Sequence, residues 1–424
     1  MRRSSSYLPH FLILPVVILL TGCSDGPTSG AGPPSALPSD AMSIPLSSPS
    51  ATPPDLLDSS ARAPTSASAA PVELLPHSLY FLSNDDAGLS QLFLIGRDGE
   101  TKSQLTSEPA DVTDYDVSVA DGSIAYVSSN QLMLVNADGL SRRVLADGGP
   151  RESSFWITNP VFSPDGSTLA FGHQGVNLYD LAADSAQLAV EDRYSTVTLP
   201  NGLLLPFETY EPVRYAPDGT KLLVGVGHPP DSPQTAAIYT PADDALVHLS
   251  GGEEGLTCCN FFGGAEWSAD SSGFYSAASI YDSTYRFGAL WRVDGITGVV
   301  TTLVPGRSGD GRFNVPIEPY HAPDDRLYFF LGSYDAESGF LDSPVIGLVR
   351  SAADGATGRT VLRDENFVLM VEALWAPDAS MVVVSSAPSR TWNLDGGVLE
   401  LYDTEGQRGR VWLAPIGHQM KWGP

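Results

Sequence analysis

The chain has 424 residues, of which 42% are apolar, enough for a sizeable core and too many for global disorder. Fifty acidic residues against 23 basic ones give a formal charge of −27. A balance this acidic argues against a nucleic-acid partner and against docking on anionic lipid, because both need a basic face.

Arg2 and Arg3 open a short positive region, and Phe11 to Leu20 is an apolar run broken only by Pro15. A membrane-spanning helix needs roughly 20 apolar residues, so this run is too short and has the layout of a secretory signal peptide. It ends in Leu20-Thr21-Gly22-Cys23. That tetrapeptide resembles a bacterial lipobox, which implies cleavage after residue 22 and acylation of the Cys23 thiol. Loss of Arg2 and Arg3 would take the charge from −27 to −29. Acyl chains contribute about 0.8 kcal/mol per buried CH₂, and two or more anchor a protein stably. Ser24 follows Cys23 where the inner-membrane retention signal of enterobacteria has aspartate, so an outer-membrane or periplasm-facing location is expected. Residues 23–75 are dominated by Ser, Pro and Ala, too poor in apolar side chains to offset their ordering entropy. They read as a tether, with a reach near 40 Å at roughly 5–6 Å times the square root of its length.

From residue 76 to 424 one pattern recurs: apolar strand, Pro-Asp-Gly turn, second strand, then two strands joined by a further Asp-Gly turn. The clearest first turns are Phe162-Ser163-Pro164-Asp165-Gly166 and Tyr215-Ala216-Pro217-Asp218-Gly219. Weaker copies follow Trp267, His321 and Trp375, and an early one is Ser118-Val119-Ala120-Asp121-Gly122. The second turn appears at Asp98-Gly99, Asp138-Gly139, Asp294-Gly295, Asp354-Gly355 and Glu405-Gly406. Pro presets φ, Asp hydrogen-bonds the backbone that it bends, and Gly accepts positive φ. The Pro slot falls at 76, 120, 164, 217, 269, 323 and 377, at intervals of 44 to 54 residues. Four short strands with their loops fill such a period, which is that of a propeller blade. Met420 to Pro424 repeats the lead into the slot and then stops, whereas Pro76 starts at the slot without a preceding strand. The spacing therefore predicts an all-β, seven-bladed β-propeller closed by the C-terminal strand. A six-bladed ring with one mistaken unit, or a β-solenoid, is the alternative.

The aromatic-x-Pro-Asp-Gly repeat resembles the WD40-like (PD40) repeat of TolB-like propellers, over roughly residues 76–424. The resemblance implies a partner-binding scaffold of the cell envelope, although the lipobox and tether stand where TolB carries an α/β domain. Related propellers precede the catalytic domain of prolyl-oligopeptidase-like enzymes. The required G-x-S-x-G elbow is missing, since Gly306-Arg307-Ser308-Gly309 has the wrong spacing, so no peptidase is expected. Other relatives, the oligogalacturonate lyases, use metal-bound histidines at the channel mouth. That resemblance makes a metal-dependent polysaccharide lyase the rival to a noncatalytic platform. His77, His173, His228, His248, His321 and His418 could contribute only across blades, and His321 fills an aromatic packing slot.

Five or six residues ahead of the Pro slots lie Asp114, Asn159, Glu211, Glu318, Glu372 and His418 or Gln419. In a propeller these positions rim the channel mouth, where oxygen ligands suit Ca²⁺ or a basic peptide. Gly263-Gly264 interrupts the set. The connections Ser279–Phe287, Ser333–Ser343 and Ser386–Gly396 read as long loops on the same face. They carry Tyr281, Asp282, Tyr285, Arg286, Tyr334, Asp335, Trp392 and Asn393, residue types that often anchor a protein or glycan partner. Adjacent Cys258 and Cys259 leave two alternatives open, a strained vicinal disulfide or two buried thiols.

Overall fold

The computed structural model describes residues 73–150, 156–198, 204–227, 235–250, 264–281, 286–335, 346–367, 370–387 and 396–424. Cys23, the tether up to residue 72, Cys258, Cys259, His228, Asp282, Tyr285, Trp392 and Asn393 lie outside these residues. Every named element is a strand, and every strand pair is antiparallel.

The strands run in consecutive sheets. The first holds β1 (Leu79–Asn84), β2 (Ser90–Ile95) and β3 (Lys102–Gln104). The second holds β4 (Val112–Val117), β5 (Ile124–Ser128), β6 (Gln131–Val135) and β7 (Arg143–Asp147). In the third are β8 (Thr158–Phe162), β9 (Thr168–Gly172), β10 (Gly175–Asp180) and β11 (Ser185–Glu191). The fourth has an extra strand, β12 (Arg193–Thr198), ahead of β13 (Leu204–Tyr215), β14 (Leu222–Gly227), β15 (Thr235–Thr240) and β16 (Ala245–His248). The fifth comprises β17 (Glu266–Trp267), β18 (Gly273–Tyr281), β19 (Arg286–Asp294) and β20 (Val300–Val304). The sixth comprises β21 (Arg312–His321), β22 (Arg326–Asp335), β23 (Ile346–Ala352) and β24 (Thr360–Val361). Last come β25 (Met370–Trp375), β26 (Met381–Ser386), β27 (Gly397–Asp403) and β28 (Val411–Trp422).

β28 serves two partners. Its first half pairs with β27, Leu401 opposite Val411, and its second half pairs with β1, Leu79 opposite Trp422. The first and last sheets are therefore one hydrogen-bonded sheet. Side-chain contacts tie β28 to β4 of the second sheet as well: the Tyr115 hydroxyl donates to the Gln419 carbonyl (2.5 Å), and Lys421 Nζ meets Asp116 Oδ1 at 2.7 Å.

Burial grades outward across each sheet. The second strand is covered on both faces, so β5 is buried along its whole length and β9 and β26 nearly so. This is why those segments read as continuous apolar runs rather than alternating ones. The fourth strands β3, β7 and β24 are largely exposed. Seven apolar clusters fill the spaces between neighbouring sheets. Phe274, Trp267 and Trp291 of the fifth sheet pack on Leu223 and Ile238 of the fourth, and Leu79 and Phe81 of the first pack on Val383, Leu399 and Leu401 of the last. The remaining five join the other sequential pairs. Sheets of this kind, consecutive in sequence and packed face to face, are the repeat of a β-propeller.

The turns form as expected. Asp165 Oδ1 accepts the Ser167 N–H (3.0 Å) and Asp218 Oδ1 that of Thr220 (2.9 Å), with Gly166 and Gly219 at φ 69° and 71°. The three copies without glycine keep the same conformation, at Ser271 (59°), Asp325 (60°) and Ala379 (57°). Just ahead of Pro76, Leu75 is buried, and its N–H donates to the Arg97 carbonyl.

Candidate functional site at the channel mouth

Five of the first strands carry a register shift at or next to the position singled out in the sequence, and β17 does not. The shifts lie between Val112 and Asp114, Thr158 and Val161, Pro212 and Arg214, Ile317 and Tyr320, and Met370 and Glu372. In the closing strand His418 pairs with Leu82 and Lys421 with Tyr80, a shift of the same kind. A bulge bends the strand and re-aims its side chains. Asn159, Glu318 and Gln419 all sit at positive φ, 45°, 50° and 52°. Gln419, rather than His418, therefore occupies the repeated position in the closing strand.

The carboxylates at these bulges keep only part of their surface accessible, and the surrounding strands enclose them. Burial is the main cause of their altered acidity. Asp114 is raised to about 6, against the pull of the Asn159 N–H and of Lys421. Glu211 is raised to about 7, helped by repulsion from Asp114 and Asp192. Glu372 reaches about 7 even though the N–H of Met420 donates to its Oε1 (2.7 Å) and Lys421 lies nearby. Glu318 reaches about 8, with Glu372 adding repulsion and Arg214 only partly relieving it. No hydrogen-bond donor among the described residues reaches Glu211 or Glu318. Gly264, where the acidic series is interrupted, lies under Glu318: a Cβ there would stand 3.2 Å from Glu318 Oε2. The gap in the sequence is room for a neighbouring carboxylate.

A second layer lies two or three residues further along the same strands, and the sequence reading missed it. Asp116 accepts from Lys421 and from the Phe162 N–H (2.7 Å). Arg214 pairs closely with Glu266 and is lowered by burial, while Asp116, Glu318 and Tyr320 favour its charged form. Successive side chains on a strand alternate faces, so residues i and i+2 share one. That period places Asp116 behind Asp114, Glu266 behind Gly264 and Lys421 behind Gln419, and the bulge at Val213 shifts Arg214 by one more. The i+2 rule was the available signal. Among the described residues the upper-layer carboxylates make no direct ion pair and feel Lys421 and Arg214 only from the layer below, which holds two acids and two bases.

The other predicted residues separate. Among the described residues, no three His, Cys, Asp or Glu side chains lie close enough together to hold a metal ion. His321 stacks on Tyr275 (centroids 5.0 Å, 12° between planes) and its Nε2 meets Asp325 Oδ1 at 3.1 Å, a packing role. His248 stands edge-on to Tyr210. His173 is half-buried and its pKa is lowered by that burial. His77 is half-buried, ahead of β1. The rim needs correction. Tyr334 is only 6% exposed and packs on Phe313 and Val315 as part of the β21–β22 ladder. Tyr281 and Arg286 are the last cross-strand pair of β18 and β19, and β22 runs on through Asp335. The expected loops are thus partly strand, because β-prone residues extend each ladder beyond the point where a loop was read.

No protein-family model matches the chain, and no curated protein matches it. Solved structures do. TolB from Acinetobacter baumannii is 11% identical, with 82% of this chain and 67% of that chain covered and a TM-score of 0.42. Oligogalacturonate lyase from Vibrio parahaemolyticus is 13% identical, with 73% and 87% covered and a TM-score of 0.47. Dipeptidyl peptidase 4 from Porphyromonas gingivalis is also 13% identical at a TM-score of 0.47, and the chain spans about half of that protein's length (48%). At these values no activity, ligand or partner passes from those proteins to this chain, and its architecture rests on its own strand pairing.

Proposed function

We propose that the protein is a membrane-anchored, extracytoplasmic lipoprotein whose β-propeller is a noncatalytic binding platform of the cell envelope, taking a protein or glycan partner at the channel mouth. In this reading the propeller has seven blades and is closed by the C-terminal strand. Support for closure comes from the two-sided pairing of β28, and support for the count comes from seven inter-sheet clusters, one of which joins the last sheet to the first.

One observation carries the binding reading: four carboxylates are gathered at one end of the first strands, and two of them, Glu211 and Glu318, have no donor among the described residues. A partner supplying ammonium, guanidinium or hydroxyl donors would satisfy them. The lyase alternative needs histidines gathered around a metal, and no described histidine meets two further ligands. No specific observation favours it.

The test is affinity capture from native envelopes with the wild-type chain and with a combined Asp114→Asn, Glu211→Gln, Glu318→Gln and Glu372→Gln variant. Whatever the wild type captures should be lost from the variant, and undiminished capture refutes the mouth as the binding site. Anchoring is tested separately by Cys23→Ala, which should move the protein from the membrane fraction to the soluble one.

A further inference from the structure

The turn end of the fold holds a cavity between the third and fourth sheets, where the first turn of one faces the first turn of the next. Its volume of about 500 Å³ lies within the range of small-molecule sites. Pro164, Pro217 and Pro241 give it rigid apolar walls, and Tyr215, Asp165 and Asp218 are its main polar groups. No basic side chain lines it among the described residues. Residues 156–192, 207–227 and 235–250, which surround it, are all described.

Tyr215 is the side chain that the fold leaves unfinished. It fills the aromatic slot ahead of its turn, and the other polar side chains in that slot have partners. Trp267 Nε1 donates to the Arg214 carbonyl (3.3 Å), Trp375 Nε1 to that of Glu318 (2.9 Å) and Trp422 Nε1 to that of Trp375 (2.7 Å). His321 Nε2 meets Asp325 Oδ1 at 3.1 Å. Tyr239, in the same apolar cluster as Tyr215, donates to Asp244 Oδ1 (3.0 Å). Tyr215 is only 7% exposed, yet no described group bonds its hydroxyl. Buried hydroxyls ordinarily find a partner.

Burial, together with the nearby Asp165 and Tyr239, raises the Tyr215 pKa, so the phenol keeps its proton. Asp165 stays ionised. Its Oδ1 accepts the Ser163 hydroxyl (2.6 Å) and both the N–H (3.0 Å) and the hydroxyl (2.8 Å) of Ser167, which hold it more acidic than usual. The turn's own bonds thus fall on one oxygen, and Oδ2 is left to the cavity. Asp218 adds a second negative charge.

We propose that this cavity binds a guanidinium group carried on a short apolar chain, with Tyr215 Oη and Asp165 Oδ2 accepting its N–H groups. A guanidinium is planar, carries its donors in a fixed fork and is less strongly hydrated than an ammonium, so it suits two acceptors set among proline rings. The site lies at the opposite end of the sheets from the mouth carboxylates and uses none of them.

Isothermal titration calorimetry of the full chain in detergent is the test, with butylguanidine as the probe and butylammonium as the control cation. Butylguanidine should bind with a Kd of about 1 mM or tighter, and butylammonium at least about tenfold more weakly. Tyr215→Phe keeps the ring. It should weaken butylguanidine about tenfold without lowering the melting temperature, because the hydroxyl that it removes has no partner within the fold. Asp165→Asn should weaken the probe by about as much. If that change disturbs the turn and hence folding, Tyr215→Phe decides. An acetylated, amidated Gly-Arg-Gly peptide separates the two sources of the group. Tighter binding than butylguanidine assigns the cavity to an arginine side chain of a protein partner, and weaker binding to a free guanidine, and both keep the site. Absence of binding heat at about 5 mM butylguanidine, equal affinity for butylammonium, or an affinity untouched by Tyr215→Phe overturns the proposal.

Discussion

The two ends of the sheets use the same residue types to opposite effect. At the turn end, aspartates receive short backbone hydrogen bonds and are more acidic than usual. Asp165, Asp218 and Asp378 are all lowered, and Asp270 falls to about 2 through its bonds from Ser268 and the Ser272 N–H. At the mouth end, Asp114, Glu211, Glu318 and Glu372 are raised to between about 6 and about 8 because burial outweighs what few donors reach them. The turn end is satisfied by its own backbone, while the mouth end is left with unmet bonding capacity. A carboxylate there keeps unused acceptor capacity, whereas the same group in a turn is engaged by the bend itself.

Cutting off the closing segment should break that contrast most completely, since it removes both a sheet neighbour and the donors to the mouth. Deleting Gln419 to Pro424 takes away the pairing with β1, the Lys421–Asp116 ion pair, and the bonds from Met420 N–H to Glu372 and from Trp422 Nε1 to the Trp375 carbonyl. Differential scanning calorimetry should show the melting temperature falling by about 10 °C or more, at roughly 2–4 °C per kcal/mol for a domain of this size. An unchanged transition would mean that the two chain ends do not hold each other.

Proton titration sharpens the comparison next. The mouth carboxylates have folded pKa values above the unfolded value of about 4, so the native state holds more protons and stability falls as pH rises from about 4 to about 8. The turn aspartates have folded values below it, so their contribution is lost as pH falls from about 4 towards about 2. Maximal stability should therefore lie near pH 4–5, with the melting temperature lower by about 5–10 °C at pH 8.5. Glu318→Gln should flatten the alkaline limb, and a profile rising from pH 5 to 8.5 would contradict the assignment.

Much of this was legible from residues alone, and the limits have physical causes. Pro-Asp-Gly turns depend on local chemistry, so Asp165 and Asp218 were readable, as were the period and the pairing partners of β28. The mouth positions Asp114, Glu211, Glu318 and Glu372 followed from spacing to the turn. Arg214 and Lys421 did not, because their place depends on bulges, and a bulge shifts the face of every later side chain. Tyr334 misled because an aromatic in a presumed loop is also a good strand residue, and here the strand continued past it. β12 was invisible because Ser195 to Thr198 shows no alternation of apolar and polar residues strong enough to separate a fifth strand from a loop.

A smaller test concerns how neighbouring sheets are joined at the mouth. Trp375 Nε1 donates to the Glu318 carbonyl (2.9 Å), and Trp267 Nε1 to that of Arg214 (3.3 Å), so indoles from the aromatic slot fasten the bulged strands one sheet back. Trp375→Phe keeps most of the ring and removes the donor. The cost should be about 1–3 kcal/mol, because a carbonyl in a confined setting loses its partner. Chemical unfolding should resolve it. Trp375→Phe should also loosen Glu318, seen as a lower pKa for that group, which a purely volumetric defect would not produce.

The smallest effect belongs to the turn end and runs in the stabilising direction. Where three first turns have glycine, at Gly122, Gly166 and Gly219, Asp325 holds φ at 60°, a region that costs an L-residue roughly 1 kcal/mol or more. Its side chain is exposed and meets only His321, an interaction worth little at a surface. Asp325→Gly should therefore raise the melting temperature by about 1–2 °C, since relief of backbone strain exceeds the added freedom of the unfolded chain by a small margin. The same change at Ala379 should gain nothing, because Ala379 is buried against its neighbours and its methyl contributes packing that glycine forfeits. A loss at Asp325 would show that its contact with His321 matters more than the turn, and would turn that histidine from a packing residue into a structural anchor.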